Sequence, residues 1–318
     1  MSKQISIKSF GKINLSIDVM PPGEDGYHPV DMIMARMDLY DQVKIAYEDL
    51  GNKKLSSEEQ PCKIAIKCNF QFVPTDERNI CFKAARVMAD RFNKKGAIGI
   101  NLQKTLPVGA GLAGGSGNGA AVLHGLNVLW NLKLTLSELC SIGAELGSDV
   151  PFSVVSQARG DRNLSSYFAD EPMATNWARA RGRGTELTPI QGMDKLLVLV
   201  KPKFGVSTAE VYKGIDNCEI LERPDNDALV EALREKNPAS VYCNMVNVLE
   251  NYTLKKYPSL CHMKDAMAGF DGVEKVLMSG SGPTIYGIFD EKDKMKAMNC
   301  CQALRKQGFT AFFTRIRR

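Results

Sequence analysis

The feature that most constrains this chain is a dense run of glycines near its middle. Residues 107–119, with the sequence PVGAGLAGGSGNG, contain six glycines in thirteen positions, whereas the chain average of 27 in 318 would place about one there. Such a density between a predicted strand and a predicted helix means that the backbone turns sharply or comes close to another group. Because the start of a helix offers free N–H groups and a partial positive charge, the segment predicts an anion site, and phosphate is the anion we expect.

Known glycine-rich motifs and a purely structural turn are the alternatives for this segment. Gly109, Gly111 and Gly114 satisfy G-x-G-x-x-G, but a dinucleotide-binding unit needs a strand that runs directly into the loop and a second strand after the helix. Pro107 interrupts that connection, and the segment after Asn131 begins another helix. No lysine follows the glycines as a P-loop requires, and the H-R-D and D-F-G motifs of protein kinases are absent. A glycine-rich packing turn without a ligand stays open at this point.

The amino-acid composition excludes several classes of protein. The 318 residues predict about two domains, and a hydrophobic fraction of 44% with 24% charged residues excludes an intrinsically disordered chain. The net charge of +5 is spread along the chain, so it suits a small anionic ligand and argues against a nucleic-acid partner. The nine cysteines show no C-x-x-C spacing and do not cluster with the three histidines, so we expect reduced thiols and no zinc site. No segment is apolar enough for a signal peptide or a membrane span, so we expect a cytoplasmic protein without a membrane partner, and the oligomeric state stays open.

Local patterns predict an α+β chain without internal repeats. Alternating or β-branched segments predict strands over residues 5–10, 12–19, 43–47, 63–70, 97–103, 152–155, 196–200, 274–278, 285–289 and 310–315. Helical periodicity and two capping boxes predict helices over residues 78–93, 116–131, 136–146, 226–236, 258–269 and 291–306, with a short one after Ser207. Residues 156–184 are predicted to be irregular.

Two charged residues become candidates only in combination with the glycine segment. Lys12 lies in an apolar strand pattern, where a lysine ordinarily points to solvent, and Asp149 lies in a Gly-Ser-Asp-Val-Pro turn, where an aspartate ordinarily bonds to local N–H groups. Phosphoryl transfer needs an anion cradle, a metal ion and a group that accepts the proton of the attacking hydroxyl. A carboxylate can accept that proton as the P–O bond forms, and a neighbouring ammonium keeps it charged and offsets charge on the phosphoryl group.

Three segments together resemble one superfamily, the galactokinase, homoserine, mevalonate and phosphomevalonate (GHMP) kinases. They are residues 11–15 (GKINL), 107–120 and 279–284 (SGSGPT), and their order and spacing extend the resemblance over most of the chain. Residues 25–28 (DGYH) and 146–151 (LGSDVP) are similar to the branch that acts on 4-diphosphocytidyl-2-C-methyl-D-erythritol. The resemblance implies an α+β two-domain GHMP kinase fold, with an N-terminal domain like ribosomal protein S5 domain 2 and a ferredoxin-like C-terminal domain.

The resemblance also sets the expected domain boundaries. We expect the N-terminal GHMP kinase domain, with the ATP phosphate loop, over residues 1–160 and the C-terminal GHMP kinase domain over residues 196–318. Residues 161–195 are expected to form an insertion and connection between them.

By the same resemblance, the site residues divide into a catalytic pair, a phosphate loop and a substrate pocket. Lys12 and Asp149 fall on the catalytic pair, with Asp149 as the proton acceptor. The residues that fall on the ATP phosphate loop are Pro107, Val108, Gly109, Ala110, Gly111, Leu112, Ala113, Gly114, Gly115, Ser116 and Gly117. The residues that fall on the substrate pocket are Asn14 beside Lys12, Tyr27 stacking on a cytidine base, His28 bonding its polar edge and Tyr212 closing an aromatic sandwich.

The activity implied is ATP-dependent phosphorylation of the 2-hydroxyl of 4-diphosphocytidyl-2-C-methyl-D-erythritol, in non-mevalonate isoprenoid biosynthesis. The implied partner is thus a cytidine-diphosphate-linked small molecule, and the implied cofactors are ATP and Mg²⁺. The metal ligands are unknown, with Ser116 as a candidate. The alternatives are another GHMP kinase acting on homoserine, mevalonate or a sugar, a non-catalytic member, and an NAD-dependent oxidoreductase, which the context of the glycines already weakens.

Two departures from the family pattern bear on these assignments. Residues 113–119 read Ala-Gly-Gly-Ser-Gly-Asn-Gly where the usual pattern is Gly-Gly-Gly-Ser-Ser-Asn-Ala, so one hydroxyl is lost at position 117. Residues 156–183 are longer than the usual connection and carry five arginines, Arg159, Arg162, Arg179, Arg181 and Arg183. They form either a mobile basic flap near the diphosphate end of the substrate or an exposed insertion without function.

Overall fold

The protein, described as a computed structural model over residues 3–49 and 62–318, forms two compact units. Met1 and Ser2, which belong to the N-terminal segment that is expected to lack a signal peptide, lie outside the described residues. The first unit comprises Met1–Gly11, Tyr40–Leu106 and Ala113–Thr175, and the second Lys12–Leu39, Pro107–Leu112 and Asn176–Arg318. Each expected domain is one continuous stretch of chain, whereas each compact unit consists of several separate segments. The expected domain boundaries therefore stay a prediction.

The first unit contains elements from the N-terminal half of the chain. They are β1 (Lys3–Val19) and β2 (Val30–Asp49), which both continue into the second unit, then β3 (Cys62–Cys68), α1 (Ile80–Arg91), β4 (Gly96–Gln103), α2 (Gly114–Leu129), α3 (Leu136–Leu146), α4 (Val150–Gly160) and α5 (Arg162–Ser165). Strand β4 pairs with β2 in the antiparallel sense and with β3 in the parallel sense. The capping box predicted at the start of α3 is confirmed, because the Thr135 and Glu138 side chains each bond to the other residue's backbone.

Helix α2 lies at the centre of the first unit. Residues 117–127 are all buried, which is typical of a helix enclosed by other elements rather than one with a solvent face. The helix packs against α1 and α4, and a Cβ added to Gly125 would lie 2.7 Å from Cδ1 of Ile45 in β2. This close packing fixes the helix that follows the glycine segment.

The strand predicted over residues 152–155 is wrong, because these residues lie in helix α4. Pro151 is in the first turn of that helix, a position where proline favours helix formation because its missing N–H is not needed there. Residues 150–158 are all buried, so the Phe-Ser-Val-Val run has no polar face, and periodicity cannot distinguish a short buried strand from a buried helix.

The second unit contains four adjacent antiparallel strands with helices in their connections. Its elements after residue 176 are β5 (Trp177–Gly182), β6 (Glu186–Pro189), β7 (Lys195–Lys201), α6 (Thr208–Ile215), α7 (Asn226–Arg234), α8 (Pro238–Asn244), α9 (Glu250–Lys256), α10 (Pro258–Ala268), β8 (Val273–Met278), β9 (Ile285–Phe289), α11 (Lys294–Lys306) and β10 (Thr310–Ile316). The strand order β10-β7-β9-β8, all antiparallel, with helices between β7 and β8 and between β9 and β10, is the ferredoxin-like arrangement. The ferredoxin-like domain implied by the resemblance is therefore confirmed.

The irregular segment predicted over residues 156–184 is also wrong, because it contains the end of α4, the short α5 and strand β5. Strand β5 pairs with β2 over Trp177–Gly182 and with β6 on its other side. Arg179 in β5 forms ion pairs with Asp31 at 2.6 Å and with Asp227 at 2.5 Å. Residues 177–182, with Arg179 and Arg181, are therefore part of a sheet and not of a flap.

The sequence patterns also missed several elements that tertiary packing stabilises. The patterns predicted β2 only over 43–47, and they gave no sign of β6, α8 or α9. Among the helices of residues 3–49 and 62–318, none combines the length and apolar character that a membrane crossing needs. All nine cysteines lie in the described ranges, and each is a free thiol.

Candidate active site

The second half of the glycine loop turns into the start of helix α2. Ala113 adopts the left-handed conformation with φ of 55°, and α2 begins at Gly114 without a side chain that caps its first N–H groups. Gly114, Gly115 and Ser116 are partly or fully exposed. The first turn therefore presents N–H groups and the positive end of the helix dipole, the arrangement that binds phosphate.

The first half of the loop, residues 107–112, lies in the second unit against the turn at residues 279–282. Gly111 has φ of 70°, and a Cβ there would lie 2.4 Å from the carbonyl oxygen of Ser279. The Ser279 hydroxyl donates to the carbonyl oxygen of Gly111 at 3.0 Å. Only glycine allows so close an approach of the two backbones. The glycine at position 111 therefore permits the direct contact between these two glycine-rich turns.

Lys12 is buried in β1 beside the first half of the loop. Its backbone N–H donates to the carbonyl oxygen of Leu112 at 3.1 Å, and its Nζ donates to Oδ1 of Asn14 at 2.6 Å. Asn14 is fully buried, and its backbone oxygen accepts a hydrogen bond from the Tyr286 hydroxyl. The structure thus places Asn14 against the Lys12 ammonium, which it orients; its predicted contact with the substrate stays a prediction.

Asp149 is the N-cap residue of helix α4 in the first unit. Its backbone oxygen accepts from the N–H and the hydroxyl of Ser153, and its carboxylate does not cap the helix. The same helix is attached to the phosphate loop, because Nε2 of Gln157 donates to the carbonyl oxygen of Gly117 at 2.7 Å. This bond fixes the position of the helix that carries Asp149 relative to the first turn of α2.

Two of the three departures from the usual loop sequence, at positions 117 and 119, have steric causes. A Cβ at position 117 would lie 2.6 Å from the Ser9 hydroxyl oxygen, so the β1 serine occupies the space that a serine at 117 would need. A Cβ at position 119 would lie 3.1 Å from Cγ1 of Ile80, which is tighter than usual. The hydroxyl missing from position 117 is therefore replaced in space by one from strand β1.

We expect Gly117→Ser to destabilise the protein by about 1–3 kcal/mol, because the new Cβ overlaps the Ser9 hydroxyl in a packed region. Adding Ser9→Ala removes that oxygen and should restore most of the loss, as measured by thermal unfolding. Gly115→Ala is the matched control, because a Cβ there meets nothing nearer than 4.0 Å. An unchanged melting temperature for Gly117→Ser would contradict this account.

The predicted base-binding residues lie together in the second unit. The His28 and Tyr212 rings are 5.8 Å apart in an edge-to-face arrangement, and Nε2 of His28 is 2.7 Å from Oδ1 of Asp216. Tyr27 is 56% exposed, and the guanidinium of Arg183 lies over its ring at 4.1 Å.

The loop that carries Tyr27 is held by hydrogen bonds around Asp25. The Asp25 carboxylate accepts from the backbone N–H of Tyr27 at 3.0 Å and pairs with Arg183. The N–H of Tyr27, followed by the Arg183 guanidinium, lowers the pKa of Asp25 below its usual value. The loop is thus anchored by a carboxylate that stays charged.

Within each unit, several residues that hold the predicted site residues carried no signal in the sequence. Asp216 holds His28, and Gln157 holds Gly117, although the two members of each pair are far apart in the chain. Asn247 donates to the carbonyl oxygens of Met278 and Gly280. Contacts over such separations follow no local spacing rule, so only the folded chain reveals them.

His124, in the middle of α2, is a packing residue. It is fully buried, its Nε2 bonds to the carbonyl oxygen of Val154, and burial lowers its pKa to about 4. The imidazole is therefore neutral at pH 7.

Comparison with known proteins decides the family. The model for the GHMP kinases N-terminal domain matches residues 79–157, and the model for the GHMP kinases C-terminal domain matches residues 221–308. The chain belongs to the GHMP kinases. It is therefore an ATP-dependent small-molecule kinase, and the alternative of an NAD-dependent oxidoreductase is wrong.

Curated relatives place this GHMP kinase in one branch. The 4-diphosphocytidyl-2-C-methyl-D-erythritol kinase of Clostridium botulinum (strain Alaska E43 / Type E3) is 38% identical over 312 residues, covering 98% of this chain and 99% of that protein. The enzyme of the same name from Geobacillus kaustophilus (strain HTA426) is 42% identical over 295 residues, covering 92% and 91%. The resemblance stated from the short motifs is therefore confirmed over nearly the whole chain.

Solved structures confirm the predicted fold class. A crystal structure of 4-(cytidine 5'-diphospho)-2C-methyl-D-erythritol kinase superposes on this GHMP kinase with a TM-score of 0.74 at 25% identity, covering 99% of this chain and all of that one. The homoserine kinase of Cytophaga hutchinsonii superposes with a TM-score of 0.68 at 15% identity, which shows a shared fold only.

Proposed function

We propose that this GHMP kinase transfers the γ-phosphoryl group of ATP to the 2-hydroxyl of 4-diphosphocytidyl-2-C-methyl-D-erythritol, a step of non-mevalonate isoprenoid biosynthesis. The observation that carries the proposal is the grouping of Tyr27, His28 and Tyr212 in the unit that also holds Lys12. Identity of 38–42% to curated kinases of that name, over nearly the full length, supports it. Homoserine, mevalonate and sugar acceptors have no base for these aromatic groups to bind.

The His28 ring is set up to recognise cytosine. The Asp216 carboxylate accepts hydrogen bonds only, so Nε2 of His28 donates to it, and in the tautomer that carries its proton on Nε2 the Nδ1 atom is an acceptor. Cytosine presents an amino donor where uracil presents an oxygen acceptor. An imidazole acceptor therefore favours a cytidine-linked substrate over its uridine analogue.

Lys12, Asp149 and the glycine loop divide the work of phosphoryl transfer. The N–H groups at the start of α2 bind the ATP phosphates, and Lys12 offsets charge on the group in transfer. The bond between the substrate oxygen and the γ-phosphorus forms while the bond to the bridging oxygen of ADP breaks. Asp149 accepts the hydroxyl proton, and ADP leaves with the bridging oxygen.

Mg²⁺ belongs to this proposal as an ion that arrives with ATP. Mg²⁺ is typically held by substrate phosphates, waters and one or two protein oxygens, so it needs few ligands from the chain. The Ser116 hydroxyl fits that role, because it is a partly exposed oxygen donor in the first turn of α2. The ion, when bound, offsets the negative charge of the phosphates.

A panel of acceptors with labelled ATP tests the proposed function. The panel contains the cytidine-diphosphate-linked substrate, its uridine analogue, homoserine, mevalonate and a hexose. We expect label only in the cytidine compound and, at a kcat/KM at least about tenfold lower, in the uridine analogue. Preferential labelling of any other acceptor, or no labelling at all, would overturn the proposal.

We expect Asp216→Ala to raise KM for the cytidine substrate by about tenfold, since the loss of a charged hydrogen-bond partner frees the His28 ring to change tautomer and orientation. KM for ATP should stay within twofold, because Asp216 contacts the base-binding residue and not the phosphate loop. Asp265→Ala, an exposed aspartate on α10, is the control in steady-state kinetics. Equal substrate KM in the two variants would remove Asp216 from base recognition.

A further inference from the structure

A buried polar cluster in the first unit adjoins both ends of the glycine loop and has no part in the mechanism so far. It consists of Asp41 in β2, Lys104 after β4, Asn118 in α2 and Ser9 in β1, none more than 8% exposed. Such groups require partners when they are removed from water, and each has them here.

One oxygen of Asp41 holds the chain where it enters the loop. Its Oδ1 accepts from the backbone N–H groups of Thr105 and Leu106 at 2.7 and 2.8 Å. These residues lie between the end of β4 and Pro107, the first residue of the phosphate loop. The carboxylate therefore fixes the backbone immediately before the loop.

The other oxygen of Asp41 holds the helix that leaves the loop. Its Oδ2 accepts from the Lys104 ammonium and from Nδ2 of Asn118, the latter at 2.9 Å. Lys104 also donates to Oδ1 of Asn118 at 2.9 Å, and Asn118 donates to the Ser9 hydroxyl at 2.8 Å. A single buried carboxylate thus connects the chain on both sides of residues 107–117.

The Lys104 ammonium lies directly beneath the first turn of α2. Its Nζ is 3.4 Å from the place that a Cβ on Gly114, the first residue of the helix, would occupy. A cation at a helix N-terminus opposes the helix dipole, so this position does not serve the stability of the helix itself. Buried ion pairs are also often replaceable by apolar residues without loss of stability, which suggests a role other than stability.

We propose that Asp41 is a positioning residue, because it holds the two ends of the glycine loop at the spacing that the ATP phosphates require. It holds the chain before the loop through Thr105 and Leu106. It holds the helix after the loop through Lys104 and Asn118. The inference rests on the proposed function only in that the loop binds ATP. It does not depend on which acceptor is phosphorylated.

The test is ADP binding to the double variant Asp41→Asn with Lys104→Met, measured by calorimetry without any acceptor. The new amide can still accept from Thr105 and Leu106, no buried charge is left unpaired, and the charged connection to α2 is lost. We expect the Kd for ADP to rise at least tenfold, while KM for the cytidine substrate stays within twofold. An unchanged ADP Kd in the folded double variant would overturn the proposal.

A second buried ion pair provides the matched control. Lys195 is 6% exposed and pairs with Glu274 and Asp290 in the second unit. None of the three residues adjoins the glycine loop in the sequence. Lys195→Met with Glu274→Gln is expected to leave the Kd for ADP within twofold, whatever it does to the melting temperature. An equal loss of ADP affinity in this control would show that the effect is general destabilisation and would overturn the proposal.

Two further measurements distinguish a failure of this inference from a failure of the double variant to fold and from a failure of the proposed function. If the double variant does not fold, Ser9→Ala removes only the outer hydrogen bond to Asn118, and the ADP Kd should rise two- to fivefold. An unchanged Kd in that variant would overturn the inference. If the unaltered enzyme binds ADP but fails to phosphorylate the cytidine substrate, the proposed function fails while the role of Asp41 stands.

Discussion

Asp149→Asn should lower kcat by about 10³-fold while the affinity for ATP stays within threefold. An amide cannot accept the hydroxyl proton, and removal of a general base of this kind typically costs 10²–10⁴-fold. The Asp149 carboxylate does not cap helix α4, so its replacement by an amide should leave the start of the helix intact, and the Gln157 bond to Gly117 lies two turns away. The expected signature is a loss of kcat with an unchanged Kd for ADP, measured by steady-state kinetics and calorimetry.

The chain offers a matched control for this substitution. Asp225 is the exposed N-cap residue of α7, and its side chain accepts from the Ala228 N–H. Asp225→Asn makes the same chemical change at the same kind of position, and we expect kcat to stay within twofold. If Asp149→Asn retains a tenth or more of the original kcat, Asp149 is not the proton acceptor.

Lys12→Met should lower kcat/KM for ATP by about 10²–10³-fold. The variant keeps the length and apolar stem of a side chain that is 5% exposed but removes its charge. An ammonium about 4 Å from a charge contributes up to roughly 4 kcal/mol at an effective dielectric constant of 20, so its loss should weaken binding of the phosphoryl group in transfer. Steady-state kinetics with varied ATP, at saturating cytidine substrate, measures the effect.

Lys12→Arg and Lys8→Met separate charge from packing. Lys12→Arg keeps a cation, so it should recover part of the activity that Lys12→Met loses, which a purely structural role would not predict. Lys8 lies in the same strand over the Tyr40 ring, and Lys8→Met should leave kcat/KM within twofold. Equal activity in Lys12→Met and Lys8→Met would exclude Lys12 from catalysis.

The glycine segment was accessible from sequence because its signal is local. A run of glycines before an apolar helix indicates a close backbone approach wherever it occurs, and Gly111 against Ser279 is that approach in the fold. The capping box at Thr135 and the short apolar run over residues 285–289 likewise needed no knowledge of partners. Short motifs at 11–15 and 279–284 were specific in combination, and full-length relatives confirmed the family that they indicated.

The elements that sequence patterns missed depend on their neighbours. Residues 150–158 form a helix because they are buried on all sides and begin with a proline in the first turn, although their β-branched residues favour a strand. Strand β5 forms where the sequence patterns predicted only an irregular segment, because β2 and β6 supply hydrogen-bond partners on its two edges. Strand β2 lies too far from β5 in the sequence to leave a local pattern, whereas β6 follows β5 after a short turn.

The amino-acid sequence by itself determined the chemistry of the groups present: a backbone able to cradle phosphate, an ammonium, a carboxylate and aromatic rings. Only the tertiary structure decided which residues hold those groups in place. Asp41 lies 63 residues from Lys104, and Asp216 lies 188 residues from His28, yet each pair is in contact. The reason is physical: local patterns reflect the preferences of the backbone over a few residues, whereas a buried hydrogen bond depends on which distant segments the packing of the whole chain brings together.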